Sequence, residues 1–366
     1  MKKTLAVLFA CLLLALGAFA LAACDDETPT PPGNTATPGN TATGSETALS
    51  VYMPDGAPAL AMAQLMSEEK QFTVGEGEDA AVFKPDYNVV DASTIQTYVT
   101  GKEPKADIAV LPVNAAANLL GTGETYKMLG AVTHGNIYIL SANGEVKITS
   151  QNAKEMFQGK KIGCLQLDNF VGYILRTVLK KYDVEFKVRQ DADEKNETRM
   201  AYLYSVDGTA ILPTATYDLM IAAEPVVNRK TSSGKLFVAG DMQALYGERG
   251  YPQAVLVAKT ELIESSPAFI EAFTAAVAAN ATWIGTAPAK TLYDAVTGHF
   301  AKEGSAPTFN ETDLTPQVLE RCAIRFEAAA AIKDRVNGLL AELSAAASKT
   351  FAAQDAFFYT PQADAA

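Results

Sequence analysis

The residues able to do chemistry are few, and their types limit what the chain can catalyse. Histidine occurs only at His134 and His299, and cysteine at Cys11, Cys24, Cys164 and Cys322 in no metal-ligand spacing. No Ser-His-Asp spacing, metal cluster or Walker loop emerges, so no catalytic residue, metal or cofactor is expected. What the chain does offer is polar residues at corners where a β-rich run gives way to helical sequence. Asp55, Gly56 and Ala57 form one such corner, and Asn114 stands at a second, in Leu111-Pro112-Val113-Asn114. Gln166, Asp168, Asn169 and Phe170 form a third, and Glu224 ends a further run. Corners of this kind fix free N–H groups, amides and carboxylates on a rigid scaffold, which suits holding a small molecule between surfaces. His134 could donate into such a cleft, and Phe170 and Tyr251 could stack a flat ligand; each residue alone equally suits an ordinary turn, cap or core position. Tyr52 and Tyr173 read as core, His299 as structural, and Trp283 as packing. None of Arg176, Arg199 and Arg249 falls at an obvious corner, so a neutral or cationic heterocycle competes with carboxylate, sulfonate or nitrate.

Positioning these corners needs strands followed by helices. Short β-rich runs stand at Leu49–Met53, Tyr87–Val90, Asp107–Val110, Asn136–Leu140 and Lys161–Leu165. More stand at Met200–Ser205, Asp218–Ala222, Leu236–Ala239 and Ala254–Ala258. Helical stretches at Ala57–Glu69, Asn114–Leu120 and Val171–Tyr182 lie between them, a pattern that predicts α/β lobes around parallel-rich sheets. After about Thr260 the pattern predicts helices alone, opening at Ser266-Pro267 and Thr286-Ala287-Pro288, with a last one near Ala328–Leu343. Cys164 and Cys322 read as buried thiols.

Composition agrees with a folded body. The 366 residues are 48% hydrophobic, with 16 Phe and 14 Tyr, and carry a net charge of −12. An acidic chain without a basic stripe is repelled by phosphate backbones, so nucleic acid is not an expected partner. Residues 1–23 read as a secretory signal, with Lys2 and Lys3 ahead of an apolar run from Leu5 to Leu21. That run is also just long enough to be an uncleaved membrane anchor. Residues 24–48 are rich in Thr, Pro, Gly and Asn, with Pro-Gly-Asn-Thr-Ala-Thr repeated in tandem, and read as a disordered tether.

Two resemblances follow. Leu21-Ala22-Ala23-Cys24 resembles the lipobox of bacterial lipoproteins, which implies acylation at Cys24 and cleavage before it; Leu8-Phe9-Ala10-Cys11 would leave too short an apolar run. The body resembles the substrate-binding lipoproteins of ABC importers, in the nitrate, sulfonate, taurine and pyrimidine-precursor group. The resemblance is carried by Tyr52-Met53-Pro54-Asp55-Gly56-Ala57-Pro58-Ala59-Leu60, Ala106–Ala116, Gly135-Asn136-Ile137-Tyr138-Ile139, Ala222–Val227, Gly250–Val257 and Arg321–Phe326. It implies a type II periplasmic-binding fold: two α/β lobes, a central cleft, two hinge crossings and extra C-terminal helices. Lobe 1 would be 49–137 plus 254–366 and lobe 2 138–253, with crossings near Asn136–Leu140 and Tyr251–Val257. The partners implied are a small-molecule ligand, ABC permease subunits and, through the lipid, the cell membrane; the protein would be an extracytoplasmic monomer. A ligand-sensing lipoprotein is one rival. An enzyme related to pyrimidine-precursor synthases is another, although their cysteine-rich motif is absent here.

Overall fold

The computed structural model describes residues 46–190, 198–206 and 216–361. The signal, Cys24 and most of the tether therefore lie outside the described residues. Among those described, no helix is long and apolar enough to cross a membrane.

Among the described residues, thirteen strands form two sheets. In the first half they are β1 (Glu46–Pro54), β2 (Phe72–Val74), β3 (Ala81–Val90), β4 (Ile108–Pro112), β5 (Tyr126–Thr133) and β6 (Ile137–Ser141). Then come β7 (Lys161–Leu165), β8 (Phe186–Arg189), β9 (Ala201–Val206), β10 (Leu219–Ala223), β11 (Phe237–Asp241), β12 (Ala254–Lys259) and β13 (Ile324–Ala328). Helices α1 (Ala57–Leu60), α2 (Ala63–Ser67), α3 (Val113–Leu120), α4 (Ala153–Phe157), α5 (Phe170–Lys181), α6 (Val226–Thr231) and α7 (Met242–Tyr246) separate them. After β12 follow α8 (Thr260–Ser265), α9 (Pro267–Ile284), α10 (Ala289–Thr297), α11 (Pro316–Arg321) and α12 (Ala329–Ala347).

The strand order is β13-β5-β12-β4-β1-β3-β2 in the first sheet and β11-β6-β10-β7-β9-β8 in the second. β1 runs parallel to β3 and β4, and β7 runs parallel to β9 and β10. The central strands are buried on both faces, so they are near-continuous apolar runs such as Ile108-Ala109-Val110-Leu111. This is the two-lobed α/β architecture expected from the sequence.

The chain passes between the sheets twice, through His134-Gly135-Asn136 and again through residues 247–253. The crossings are thus short connections beside β6 and β12, and each of those strands belongs wholly to one sheet. Lobe 1 is built on the first sheet and lobe 2 on the second. Helix α12 packs against α3, β5 and β13 of lobe 1 and against α5 of lobe 2. One apolar core therefore runs from Leu111 and Val113 through Val336 and Leu340 to Ile174 and Leu175.

Four local expectations are corrected. The helix expected over Ala57–Glu69 is broken at Ala61-Met62 into α1 and α2. In a continuous helix Gln64 N–H would bond the Leu60 carbonyl. Here the buried Asn280 of α9 takes both groups, donating to Leu60 O at 3.0 Å and accepting from Gln64 N–H at 2.8 Å. Strands do not stop after Thr260, because β13 adds to the outer edge of β5. β5 was not expected either, as Lys127 and Gly130 dilute its apolar pattern. Gly130 is there for a close approach: a Cβ would lie 2.5 Å from Glu327 O and from the Phe326 ring. Ser266 precedes Pro267 as expected, but its side chain makes no capping bond.

Candidate functional site

In an open parallel sheet, ligands gather outside the carboxyl ends of strands at the point where successive connections leave in opposite directions. In lobe 1 that point is β1/β4, since β3 follows on one side of β1 and β4 on the other. In lobe 2 it is β7/β10 by the same test. The corners at Asp55–Ala57 and Asn114 sit on the first, and those at Gln166–Phe170 and Glu224 on the second.

The individual residues are held as follows. Gly56 has φ 107° and ψ −150°, a conformation open to glycine, and begins α1. Asp55 spends both carboxylate oxygens on backbone donors, Gly56 N–H at 2.7 Å and Thr308 N–H at 2.6 Å. The buried Ala57 follows it. Asn114 Oδ1 is buried without a hydrogen-bond partner. On lobe 2, Gln166 is exposed in the left-handed region at φ 59°. Asp168 is exposed and pairs with Arg176 at 2.9 Å. Asn169 is exposed and accepts from Phe170 N–H at the start of α5. Phe170 is buried, with its ring 5.9 Å from that of Tyr251.

Two expected site residues lie inside the hinge instead. Tyr251 is fully buried and donates its hydroxyl to Gln243 Oε1 at 2.8 Å. Gln243 Oε1 also accepts Ile137 N–H, so one amide ties both crossings to α7. His134 is fully buried, its Nδ1 3.6 Å from Glu327 Oε2. Burial, and next the Arg325 charge, push its ring down to about 3, so it is neutral at physiological pH. Glu327 accepts from Arg249, Arg325 and Arg335. Burial opposes its ionisation, yet His134 and these guanidiniums hold its carboxyl down to about 2.

Glu224 points toward the other lobe. Its side chain is fully buried, with Oε1 3.2 Å from Arg321 Nη1 and Oε2 accepting Asn228 N–H at 3.0 Å. Burial raises its pKa above the ordinary carboxylate value. A second bridge joins Arg229 of α6 to Asp313, with Nε 3.1 and 3.0 Å from the two carboxylate oxygens. Arg229 also donates to Thr308 O at 2.9 Å. Asp55, Thr308 and Arg229 thus form a continuous chain from the end of β1 to lobe 2. Sequence reasoning missed Arg229, Asp313 and Arg321, since pairs 84 and 97 residues apart carry no local signal.

A cavity of about 670 Å³ opens at the carboxyl ends of β1 and β3. Asp55, Asp91, Thr94, Thr97, Tyr98, Lys302 and Thr308 line it. The volume falls within the range of small-molecule sites. Tyr52 stacks on Tyr98, ring centroids 4.2 Å apart, beneath this region.

The backbone arrangement has counterparts among solved structures. An ABC transporter protein from Parabacteroides distasonis matches with TM-score 0.57 and 18% identity, over 86% of this chain and 100% of that one. The periplasmic aliphatic sulphonate binding protein SsuA from Escherichia coli matches with TM-score 0.57 and 13% identity, over 86% and 92%. The fold is that of ABC-type binding proteins. The zinc-bound ligand binding component of an ABC-type import system from Staphylococcus aureus shares the fold at TM-score 0.52 and 13% identity, over 86% and 96%. No family model and no curated protein matches the chain.

Proposed function

We propose that this chain is the extracytoplasmic solute-binding component of an ABC importer, anchored through an acylated Cys24 and monomeric in action. The single observation that carries the reading is that the ligand-gathering strand ends of two sheets belong to lobes joined by two short crossings and bridged by Glu224–Arg321 and Arg229–Asp313. A solute held there would change how far the lobes close, and permease subunits would read that change. Asp55, Gly56, Ala57, Asn114, Gln166, Asp168 and Asn169 would face the solute. His134, Glu224, Phe170 and Tyr251 would set the hinge and the closed position.

The test is thermal unfolding of the purified chain against nitrate, alkylsulfonates, taurine, aromatic carboxylates, amines and nitrogen heterocycles. Each solute is recovered and weighed by mass spectrometry. A ligand at 100 times its Kd adds about 2.7 kcal/mol of stability. A stabilising solute recovered unchanged supports the reading, whereas one returned chemically altered would establish an enzyme. Stabilisation without association with any permease favours a ligand-sensing lipoprotein.

A further inference from the structure

The 670 Å³ cavity and the charges around the cleft together specify the solute's sign. We propose that the cavity at the ends of β1 and β3 receives the positively charged end of the solute, an ammonium or protonated amine, and that oxyanions are excluded. The inference rests on the solute-binding reading and narrows it.

Asp55 and Asp91 both line the cavity. Asp55 accepts only backbone N–H groups, and Asp91 Oδ1 accepts the N–H and hydroxyl of Ser93 at 2.9 and 2.7 Å. Those bonds hold the Asp91 carboxyl below its usual range, so it stays ionised. Neither carboxylate has a cation within ion-pair distance among the described residues. Two carboxylates therefore face the same space against one cation among the described lining residues, Lys302, whose charge also favours the ionised Asp91, so the lining keeps an excess of one negative charge.

The neighbouring hydroxyls have the same bias. Thr94 donates its proton to Asp91 O at 2.9 Å, and Thr97 donates to Thr94 O at 2.7 Å. With those protons committed, both side chains offer lone pairs to an incoming donor. The guanidiniums that could have held an oxyanion are already neutralised. Arg176 pairs with Asp168, Arg229 with Asp313 and Arg321 with Glu224. An alkanesulfonate entering here would meet two carboxylates and exposed acceptors, with Lys302 but no guanidinium fork among the described lining residues to replace its hydration.

Calorimetric titration of the full chain with n-butylammonium, 1,4-diaminobutane, benzylammonium, n-butanesulfonate and 1,4-butanediol tests this. At least one amine is expected to bind while the sulfonate and the diol do not. Its affinity should fall tenfold or more in Asp91→Asn, and also on raising NaCl from about 50 to 500 mM. Asparagine keeps the oxygen that accepts from Ser93, so the turn at Asp91 is retained. Binding of the sulfonate alone would overturn the assigned charge and leave the solute-binding reading standing. Amine binding unchanged within twofold by Asp91→Asn would overturn the assigned place. Silence from every amine overturns the proposal, and silence from the wider solute panel as well removes the reading beneath it.

Discussion

His134 shows how one side chain can be chemically suited to a role that its surroundings deny. The sequence places it beside the first crossing, where it could donate to a solute; the fold places it at 0% exposure against Glu327. Its folded pKa of about 3 lies below the ordinary 6.5. The unfolded chain therefore takes up a proton that the folded chain refuses as pH falls through that window. Folding stability contributed by the neutral ring is present above pH 6.5 and declines between 6.5 and 3, by about 2 kcal/mol from pH 7 to pH 5. Denaturant unfolding at both pH values should show that decline in the parent chain and lack it in His134→Gln. An equal decline in both would place the pH response elsewhere. Glu327, held down to about 2, adds its own loss only below about pH 4.5.

Elements were legible wherever strands were uninterrupted apolar runs, as at Ile108–Leu111 and Ala254–Ala258. They were hidden where the determinant lay far away in the chain. The α1/α2 break is such a case, since nothing between Ala57 and Glu69 names Asn280 as the partner that replaces a helical hydrogen bond. Asn280→Ala should strand the Leu60 carbonyl and the Gln64 N–H in the core, at a cost of about 1–3 kcal/mol for each group. A chemical-denaturation midpoint within error of the parent would show instead that α1 and α2 fuse into one helix. The strand-to-helix corners were legible for a related reason: glycine, proline and asparagine mark such turns locally. Which corner meets the opposite lobe depends on distant residues such as Arg321, and that was not.

At the scale of the molecule, three features govern how the lobes meet. The Gln243 amide joins both crossings, α12 packs on both lobes, and two ion pairs bridge them. Arg229 is the most accessible of these to dissection, because it alone contacts both Asp313 and the Thr308 carbonyl. Its side chain is 41% exposed, so solvent shares in any loss. Arg229→Ala should cost about 1–3 kcal/mol and leave Asp313 buried without its cation. The lobes should also separate, read as a larger radius of gyration in small-angle X-ray scattering. An unchanged radius together with unchanged stability would show that α12 and Gln243 suffice to hold the lobes in this arrangement.

The strand order also sets a timetable for assembly. The second sheet is drawn from one continuous stretch, residues 137–241, while the first waits for β12 to enter between β4 and β5 and for β13 to close its edge. A chain emerging N-terminus first can finish lobe 2 while β1, with its buried Val51 and Met53, still lacks a completed lobe around it. Pulse-labelled hydrogen exchange during refolding should therefore protect β7, β9 and β10 before β1, β4 and β12. The interval between the two sets is how long a half-built sheet would need shelter from aggregation.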